Sequence, residues 1–159
     1  MKHTNLLGKI GIVITYALLF VTATYFGKAV NYTDAFLFTI GLILGMALLE
    51  ADENFLFKYY DPLEKRLATR SFLFILSLVP LGLFILTSTG SAIGVGLFLS
   101  IISGLSLEFF ALRSNKAEFK NRFLSQLNRE ISSEEQKVAT ALFIAGTLFY
   151  AFFVIFLGR

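Results

Sequence analysis

The sequence predicts an all-α integral membrane protein in which five transmembrane helices form one bundle, and three observations carry this prediction. The 159 residues are 56% hydrophobic and only 16% charged, with a mean hydropathy of +0.73. Soluble domains carry about a quarter charged residues. The apolar residues fall into five long blocks, and a helix needs about 20 such residues to cross the hydrocarbon layer. The links between the blocks carry most of the lysines and arginines.

Each apolar block is predicted to be a helix, because an unpaired strand cannot satisfy its backbone in lipid. We predict a single membrane domain over 1–159, with spans at about 9–28, 34–57, 71–89, 91–113 and 136–158. The third and fourth spans are joined only by 87-TSTGS-91, which predicts a tight antiparallel hairpin. Ser91 is the expected N-cap of the fourth helix.

The first block, 10-IGIVITYALLFVTATYFG-27, allows two interpretations. A basic start, an apolar run and the small residues of 21-VTA-23 are also typical of a cleavable signal peptide. The apolar run continues to Phe26, which favours an uncleaved helix that remains in the membrane. Cleavage would leave four spans with both termini outside.

The lysines and arginines predict a cell-membrane protein with its N-terminus inside and its C-terminus outside. With that orientation, 12 of the 14 basic residues fall in inner segments, and only Lys28 and Arg159 are outer. An excess of Lys and Arg on the cytoplasmic side is the rule for membrane proteins. The two long inner segments are 58–70 and 114–135.

The second span ends in a group of acids at Glu50, Asp52 and Glu53. Only 15 uncharged residues separate Asp34 from Glu50, which span about 22 Å as helix and fall short of a core of about 30 Å. The helix must therefore continue past Glu50, which puts the acids near the inner edge of the membrane. At 100° per residue the three acids point in different directions, which argues against one shared ligand cluster.

Small residues mark one face of the second span and one face of the fourth. The second carries Gly41 and Gly45, and the fourth carries Gly96, Ser100 and Gly104 at four-residue steps. Such spacing lets the backbones of two membrane helices approach closely. Both helices run from outside to inside, so we expect them to pack in parallel and to bring Asp52 and Glu108 to a similar depth.

Two interpretations of these carboxylates remain open. Glu108, Asp52 and Glu50 form a candidate ion or proton site, because carboxylates that share a poorly hydrated site do not all stay ionised. The structural alternative is that they pair with nearby cations. For Glu108 the expected partners are Lys65, Arg66 or Arg70, and for the others Lys58. The shallow position of the acids favours pairing.

The inner segment 113–131 predicts an amphipathic helix. Phe119, Phe123 and Leu127 share its apolar face, and Lys116 and Lys120 lie mostly elsewhere. The helix can rest on anionic lipid, dock a protein partner, or pack beneath the bundle, and packing is the usual role of such a face. Ser132 and Glu135 predict a capping box at the start of the fifth span. The stretch 61-DPLEKR-66 predicts a further short helix.

Composition also excludes several kinds of chemistry. The chain has no cysteine and one histidine, His3, so we expect no thiolate or histidine metal site and no cysteine or histidine catalysis. No convergent catalytic set and no cofactor motif is visible, so we expect no cofactor and no enzymatic activity. Nucleic acid is not an expected partner, because membrane orientation explains the basic residues. Pro80 predicts a kink in the third helix.

We expect a non-catalytic scaffold or subunit that packs in the bilayer with a second copy or another membrane protein. The alternative is an oligomeric ion channel or proton-coupled carrier that uses the shallow acids. A lipid-active enzyme that uses the inner-edge acids and the basic loops is the least favoured interpretation.

Overall fold

The computed structural model describes residues 2–27, 32–56, 68–125 and 130–157, and all regular structure in these ranges is helical. This confirms the all-α fold class. The α-helices are α1 (Lys2–Gly27), α2 (Tyr32–Ala51), α3 (Phe72–Phe84), α4 (Ala92–Ala111), α5 (Lys116–Phe123) and α6 (Ser133–Phe152). Wider π-helical turns extend α2 at Asp52–Leu56, α3 at Ile85–Thr89 and α6 at Phe153–Leu157. A short 3-10 turn at Ala68–Arg70 precedes α3.

Three helices among the described residues are long and apolar enough to cross a membrane. They cover Tyr32–Asn54, Ala92–Ala111 and Ser133–Ile155. Two shorter apolar helices cover Leu7–Ala23 and Phe72–Thr87. The first of these long helices continues past Glu50, as its short uncharged stretch requires.

Helix α4 is the centre of the bundle, and its most extensive contact is with α2. Twelve of its 20 residues are buried, including Leu99 and Leu105 at 0% exposure. From α2, Phe38, Leu42 and Leu49 fill the space against it, each fully buried. The seam between these two helices is therefore the densest part of the core.

Helices α1 and α6 pack on other sides of α4 through aromatic rings and hydroxyl groups. The ring of Phe20 in α1 stacks on Phe38 at 4.3 Å, and the Tyr16 hydroxyl accepts a hydrogen bond from Ser103 at 3.1 Å. From α6, Thr147 exchanges a hydrogen bond of 2.8 Å with Ser106. Hydroxyl groups therefore join both helices to α4 within an apolar interior.

Helix α3 lies at the periphery. Of its 13 residues only Leu78 and Gly82 are buried, and Pro80 lies exposed in its middle. A turn with Gly90 at φ 52° joins α3 to α4, which gives the predicted hairpin. The predicted N-cap is confirmed, because the Ser91 side chain accepts from the Gly94 N–H.

The predicted amphipathic helix is shorter than its sequence pattern suggests. It ends at Phe123, whereas the pattern extends to 131, and Glu130 and Ile131 are not helical. The chain must turn back here, because Gln136 at the start of α6 donates a hydrogen bond to the Leu112 carbonyl at the end of α4. The predicted capping box of Ser132 and Glu135 is confirmed. The helix predicted at 61–66 lies outside the described residues.

Candidate functional site

The candidate site is a group of charged side chains at the end of the bundle where α2 and α4 finish. We call it the ion-pair cluster. It is assembled from α1, the end of α2, the turn before α3, α4 and α5, and it consists of Lys9, Glu50, Asp52, Glu53, Arg70, Glu108 and Arg122.

The chain positions Arg70 through its neighbour Thr69. Asp52, in the wide turn that extends α2, accepts a hydrogen bond of 2.8 Å from the Thr69 backbone N–H and another from the Thr69 hydroxyl. Ser71 then caps α3 by accepting from the Phe74 N–H at 3.2 Å. Arg70 is held between these two contacts, so its side chain enters the bundle where α3 begins.

Arg70 is the centre of the cluster and is 0% exposed. Its Nη2 and Nε atoms donate to the two oxygens of Glu108 at 2.6 and 3.0 Å, a bidentate pair. Its Nη1 atom donates to the Leu49 carbonyl at 3.0 Å, and its Nη2 atom also reaches Glu53 at 3.2 Å. The planar guanidinium fits a carboxylate in this two-point geometry, which a lysine cannot copy.

Glu108 and Glu50 extend the cluster to α1 and α5. Glu108 lies 3.2 Å from the Nε atom of Arg122 and 3.6 Å from the Nζ atom of Lys9. Lys9, only 2% exposed, also pairs with Glu50 at 2.5 Å. Glu50 in turn accepts from the Asn54 amide at 3.1 Å. Glu108 therefore contacts three cations from three separate segments.

The charges of the cluster do not cancel. Four carboxylates (Glu50, Asp52, Glu53 and Glu108) meet three cations (Lys9, Arg70 and Arg122) within the described residues, a formal excess of one negative charge. Burial by itself would lower the pKa of Arg70. The hydrogen bond to Glu108 and the charges of Glu108, Glu53 and Asp52 raise that pKa above its ordinary value. Arg70 is therefore a permanent cation.

The structure brings the three predicted acids, Glu50, Asp52 and Glu108, into this one cluster. They meet through cations, and not by touching one another, because Arg70 lies between Asp52 and Glu108 and Lys9 lies between Glu50 and Glu108. The suggested partner Arg70 is thus observed for Glu108. The other suggested partners, Lys58, Lys65 and Arg66, lie outside the described residues.

The small residues lie where α2 and α4 touch. A Cβ atom on Gly41 would be 2.3 Å from the Ile93 carbonyl oxygen, and one on Gly96 would be 2.2 Å from the Phe38 carbonyl oxygen. A Cβ on Gly45 would meet the Ser100 hydroxyl. A Cβ on Gly104 would lie 2.6 Å from Leu49. This close approach sets the relative depth of the two helices, and hence of Asp52 and Glu108.

The apolar face of α5 is used inside the protein. Phe119 and Phe123 are each 1% exposed, and their rings lie 5.0 and 4.2 Å from the ring of Phe109 in α4. Lys116 is exposed and Lys120 is half-buried, so Lys116 is the one of these two lysines that faces fully outward. Leu127 lies outside the described residues.

Sequence reasoning did not assign Lys9, Thr69 or Arg122 to the site. A signal existed for Lys9 and Thr69, since each lies at the edge of an apolar block, where a charge or hydroxyl that becomes buried needs a partner. Arg122 lies inside the amphipathic segment and carried no such signal. The pairing itself depends on which helices are neighbours, and a periodic pattern does not contain that information.

Among the described residues no group of three or more His, Cys, Asp or Glu side chains is placed to hold an ion. The chain matches no protein-family model, and neither the curated proteins nor the solved structures contain a match to it. Its function must therefore be argued from the site alone.

Proposed function

We propose that this protein is a non-catalytic membrane subunit, which acts through helix packing in the bilayer and through a basic inner surface. The observation that carries the proposal is the pairing of Glu50, Asp52, Glu53 and Glu108 with cations in one buried cluster. Removing one member of a buried ion pair is strongly destabilising, because it leaves an uncompensated charge. The acids that suggested an ion or proton site instead form ion pairs that connect five segments of the chain.

We infer a topology of five spans in the cell membrane, with the N-terminus inside and the C-terminus outside. The three long apolar helices and the two shorter ones provide the five segments. The distribution of basic residues supports the orientation. The contacts of Lys9 and Tyr16 with the rest of the bundle favour a first helix that stays with the protein.

The partner surface that we propose is the exposed basic side around the end of α4 and the start of α5. Arg113 and Lys116 are exposed there, and the Arg113 guanidinium lies 3.8 Å above the ring of the exposed Phe110. Each basic residue near an anionic inner leaflet contributes about 1 kcal/mol to the free energy of binding to the membrane surface. An acidic segment of a partner protein, or a second copy of this chain, would meet the same charges.

Cysteine labelling tests the topology, since the chain has no cysteine of its own. Ser91→Cys, in the turn between α3 and α4, is expected to react with a membrane-impermeant maleimide from outside the cell. Ser114→Cys, after α4, is expected to react only after the membrane is permeabilised. Reaction of both from the same side would overturn the five-span arrangement.

Site-specific photo-crosslinking tests the subunit role. A photoreactive residue at Ser114 is expected to give one discrete crosslinked product in native membranes, and a second copy of the chain would double the mass. The product should weaken in the variant Arg113→Glu, Lys116→Glu, and should persist in the exposed acidic control Glu134→Gln. The absence of any discrete product from Ser114, and from Leu148 on the exposed face of α6, would contradict the proposal.

A second candidate function is supported by the excess negative charge of the cluster. Within the described residues the partly buried cluster has four acids and three cations, and such an excess favours the uptake of one proton or one inorganic cation. Glu50 and Glu53 are the members open to solvent, with side chains 36% and 29% exposed. The protein would then be an ion channel or a proton-coupled carrier.

Flux through liposomes that hold the purified protein separates the two functions. The subunit proposal predicts no flux of protons, Na⁺ or K⁺ above that of empty liposomes. A channel or carrier predicts flux in the wild type that is lost in Glu50→Gln and Glu108→Gln and retained in Glu134→Gln. Glu50→Gln is the more informative variant, because its partly exposed side chain makes unfolding a smaller concern.

A further inference from the structure

Helix α3 is attached to the bundle by a narrow strip of buried residues, beside which Phe74, Ile75 and Leu86 are partly buried. Its buried residues are Leu78 and Gly82, and the buried Ile85 follows in the turn that extends it. The large side chains at Leu73, Val79 and Leu83 are all at least 60% exposed. A helix with so few buried residues makes fewer packing contacts along its length than α2, which lies on the glycine face of α4.

Both ends of α3 are nevertheless fixed. At one end Thr69 and Arg70 are bound to Asp52 and Glu108 in the ion-pair cluster. At the other end the turn through Gly90 leads directly into α4. Pro80, in the middle, has no N–H to donate to the carbonyl four residues earlier, so the helix can bend there. The helix is therefore fixed at both ends and can bend in its middle, at Pro80.

The contact at the centre of α3 contains an unsatisfied polar group. The hydroxyl of Tyr150 in α6 is buried and has no hydrogen-bond partner in the described part of the chain. The Tyr150 ring lies 4.7 Å from the ring of Phe98 in α4, and Gly82 covers both rings. A buried hydroxyl without a partner destabilises the arrangement that buries it. Movement of α3 away from Tyr150 relieves this cost when it lets water or a lipid head group accept a hydrogen bond from the hydroxyl.

We infer that α3 is a lateral gate. Its middle, Leu78–Gly82, moves away from Phe98 and Tyr150 while Arg70 stays fixed in the ion-pair cluster, and a slot opens between α3 and α6. Tyr150 then presents its hydroxyl in the slot. If the protein spans a membrane as proposed, the slot opens toward lipid. Only this direction of opening rests on the proposed function, and the motion of α3 is independent of it.

Distance measurements between paired spin labels test the gate, and the cysteine-free chain allows labels at chosen positions alone. The gate pair is Leu83→Cys in α3 and Phe149→Cys in α6, both exposed. The control pair is Leu48→Cys in α2 and Phe110→Cys in α4, also exposed, across the glycine seam. In detergent micelles, where the result does not depend on topology, we expect two distance populations for the gate pair and one for the control pair.

Two substitutions should move the gate in opposite directions. Tyr150→Phe removes the unsatisfied hydroxyl. The ratio of the short-distance to the long-distance population should therefore rise about fivefold or more. Gly82→Ala adds a Cβ atom only 2.7 Å from the Phe98 ring, so the long-distance population should gain. A single narrow distance for the gate pair in the wild type, or populations that neither variant changes, would overturn the inference.

Discussion

The α2–α4 seam and the contact of α3 with α4 and α6 both depend on glycine, but they differ in what the glycine touches. At the seam, Gly96 lies against the backbone carbonyl of Phe38, and Gly41 lies against that of Ile93. At the α3 contact, Gly82 lies against the rings of Phe98 and Tyr150. A backbone held by its own helix cannot yield, whereas a ring can rotate. The same residue type therefore makes one rigid contact and one that can adapt.

The difference extends to polar groups. At the seam, the Ser100 hydroxyl donates to the Leu97 carbonyl of its own helix at 2.9 Å, so it brings no unsatisfied group into the contact. At the α3 contact the Tyr150 hydroxyl is buried without a partner in the described residues. Close packing of small residues with satisfied polar groups is how membrane helices associate without a hydrophobic driving force. The seam fulfils this condition and the α3 contact does not.

The largest expected effect comes from removing the charge that fixes α3. Arg70→Gln leaves Glu108 and Asp52 buried beside a neutral group, which should lower the free energy of unfolding by roughly 3–5 kcal/mol. The measurement is reversible unfolding in mixed micelles. The exposed arginine variant Arg113→Gln is the matched control and should change the stability by less than about 0.5 kcal/mol.

The double variant Arg70→Gln, Glu108→Gln shows whether this loss is electrostatic. If the cost arises from the lost attraction between Arg70 and Glu108, whose remaining cations are Arg122 and Lys9, the second substitution should restore part of the stability. The double-mutant cycle then shows a favourable coupling. Simple addition of the two losses would instead mean that Arg70 acts through packing.

An intermediate effect should separate the two contacts directly. Leu42→Ala at the seam and Leu78→Ala in α3 remove the same atoms from sites that are 0% and 3% exposed. A buried Leu→Ala substitution lowers the free energy of unfolding by roughly 2–5 kcal/mol, depending on how far the surrounding residues can fill the cavity. We expect Leu42→Ala near the upper value, since the seam is rigid, and Leu78→Ala near the lower. Equal losses in the same unfolding assay would remove the distinction between the contacts.

The smallest effects concern single methyl groups. Gly96→Ala should cost about 1–3 kcal/mol, because the added Cβ would lie 2.2 Å from a backbone oxygen. Gly146→Ala in α6 has nothing within 4 Å of its added Cβ and should be neutral or slightly stabilising. Thermal unfolding of both variants against the wild type checks the pair. A neutral Gly96→Ala would show that the seam can separate as α3 does.

The seam was the part of the fold most accessible from sequence. Gly41, Gly45, Gly96 and Gly104 repeat at helical spacing, and that spacing is a local property which fixes a face before any neighbour is known. The N-cap at Ser91 and the capping box at Ser132 were equally local. These features needed no knowledge of the tertiary arrangement.

The ion-pair cluster was only partly predictable. The short apolar stretch before Glu50 placed the acids at a helix end, and the parallel seam placed Asp52 and Glu108 at one depth. The choice of cation required three-dimensional information, since Lys9 is 41 residues from Glu50 and Arg122 is 14 residues from Glu108. The helical wheel also separated Asp52 from Glu53, yet the wide turn at Asp52–Leu56 lets both reach Arg70.

The order of the cluster along the chain has a consequence for biosynthesis. Its members alternate in sign in blocks: Lys9, then the acids Glu50, Asp52 and Glu53, then Arg70, Glu108 and Arg122. Each new block emerges from the ribosome after the opposite charge that it will contact, with Arg70 following Glu53 by 17 residues and Glu108 following Arg70 by 38. The running formal charge of these seven residues therefore stays between +1 and −2 as the chain grows, and the bundle can close helix by helix as it is made.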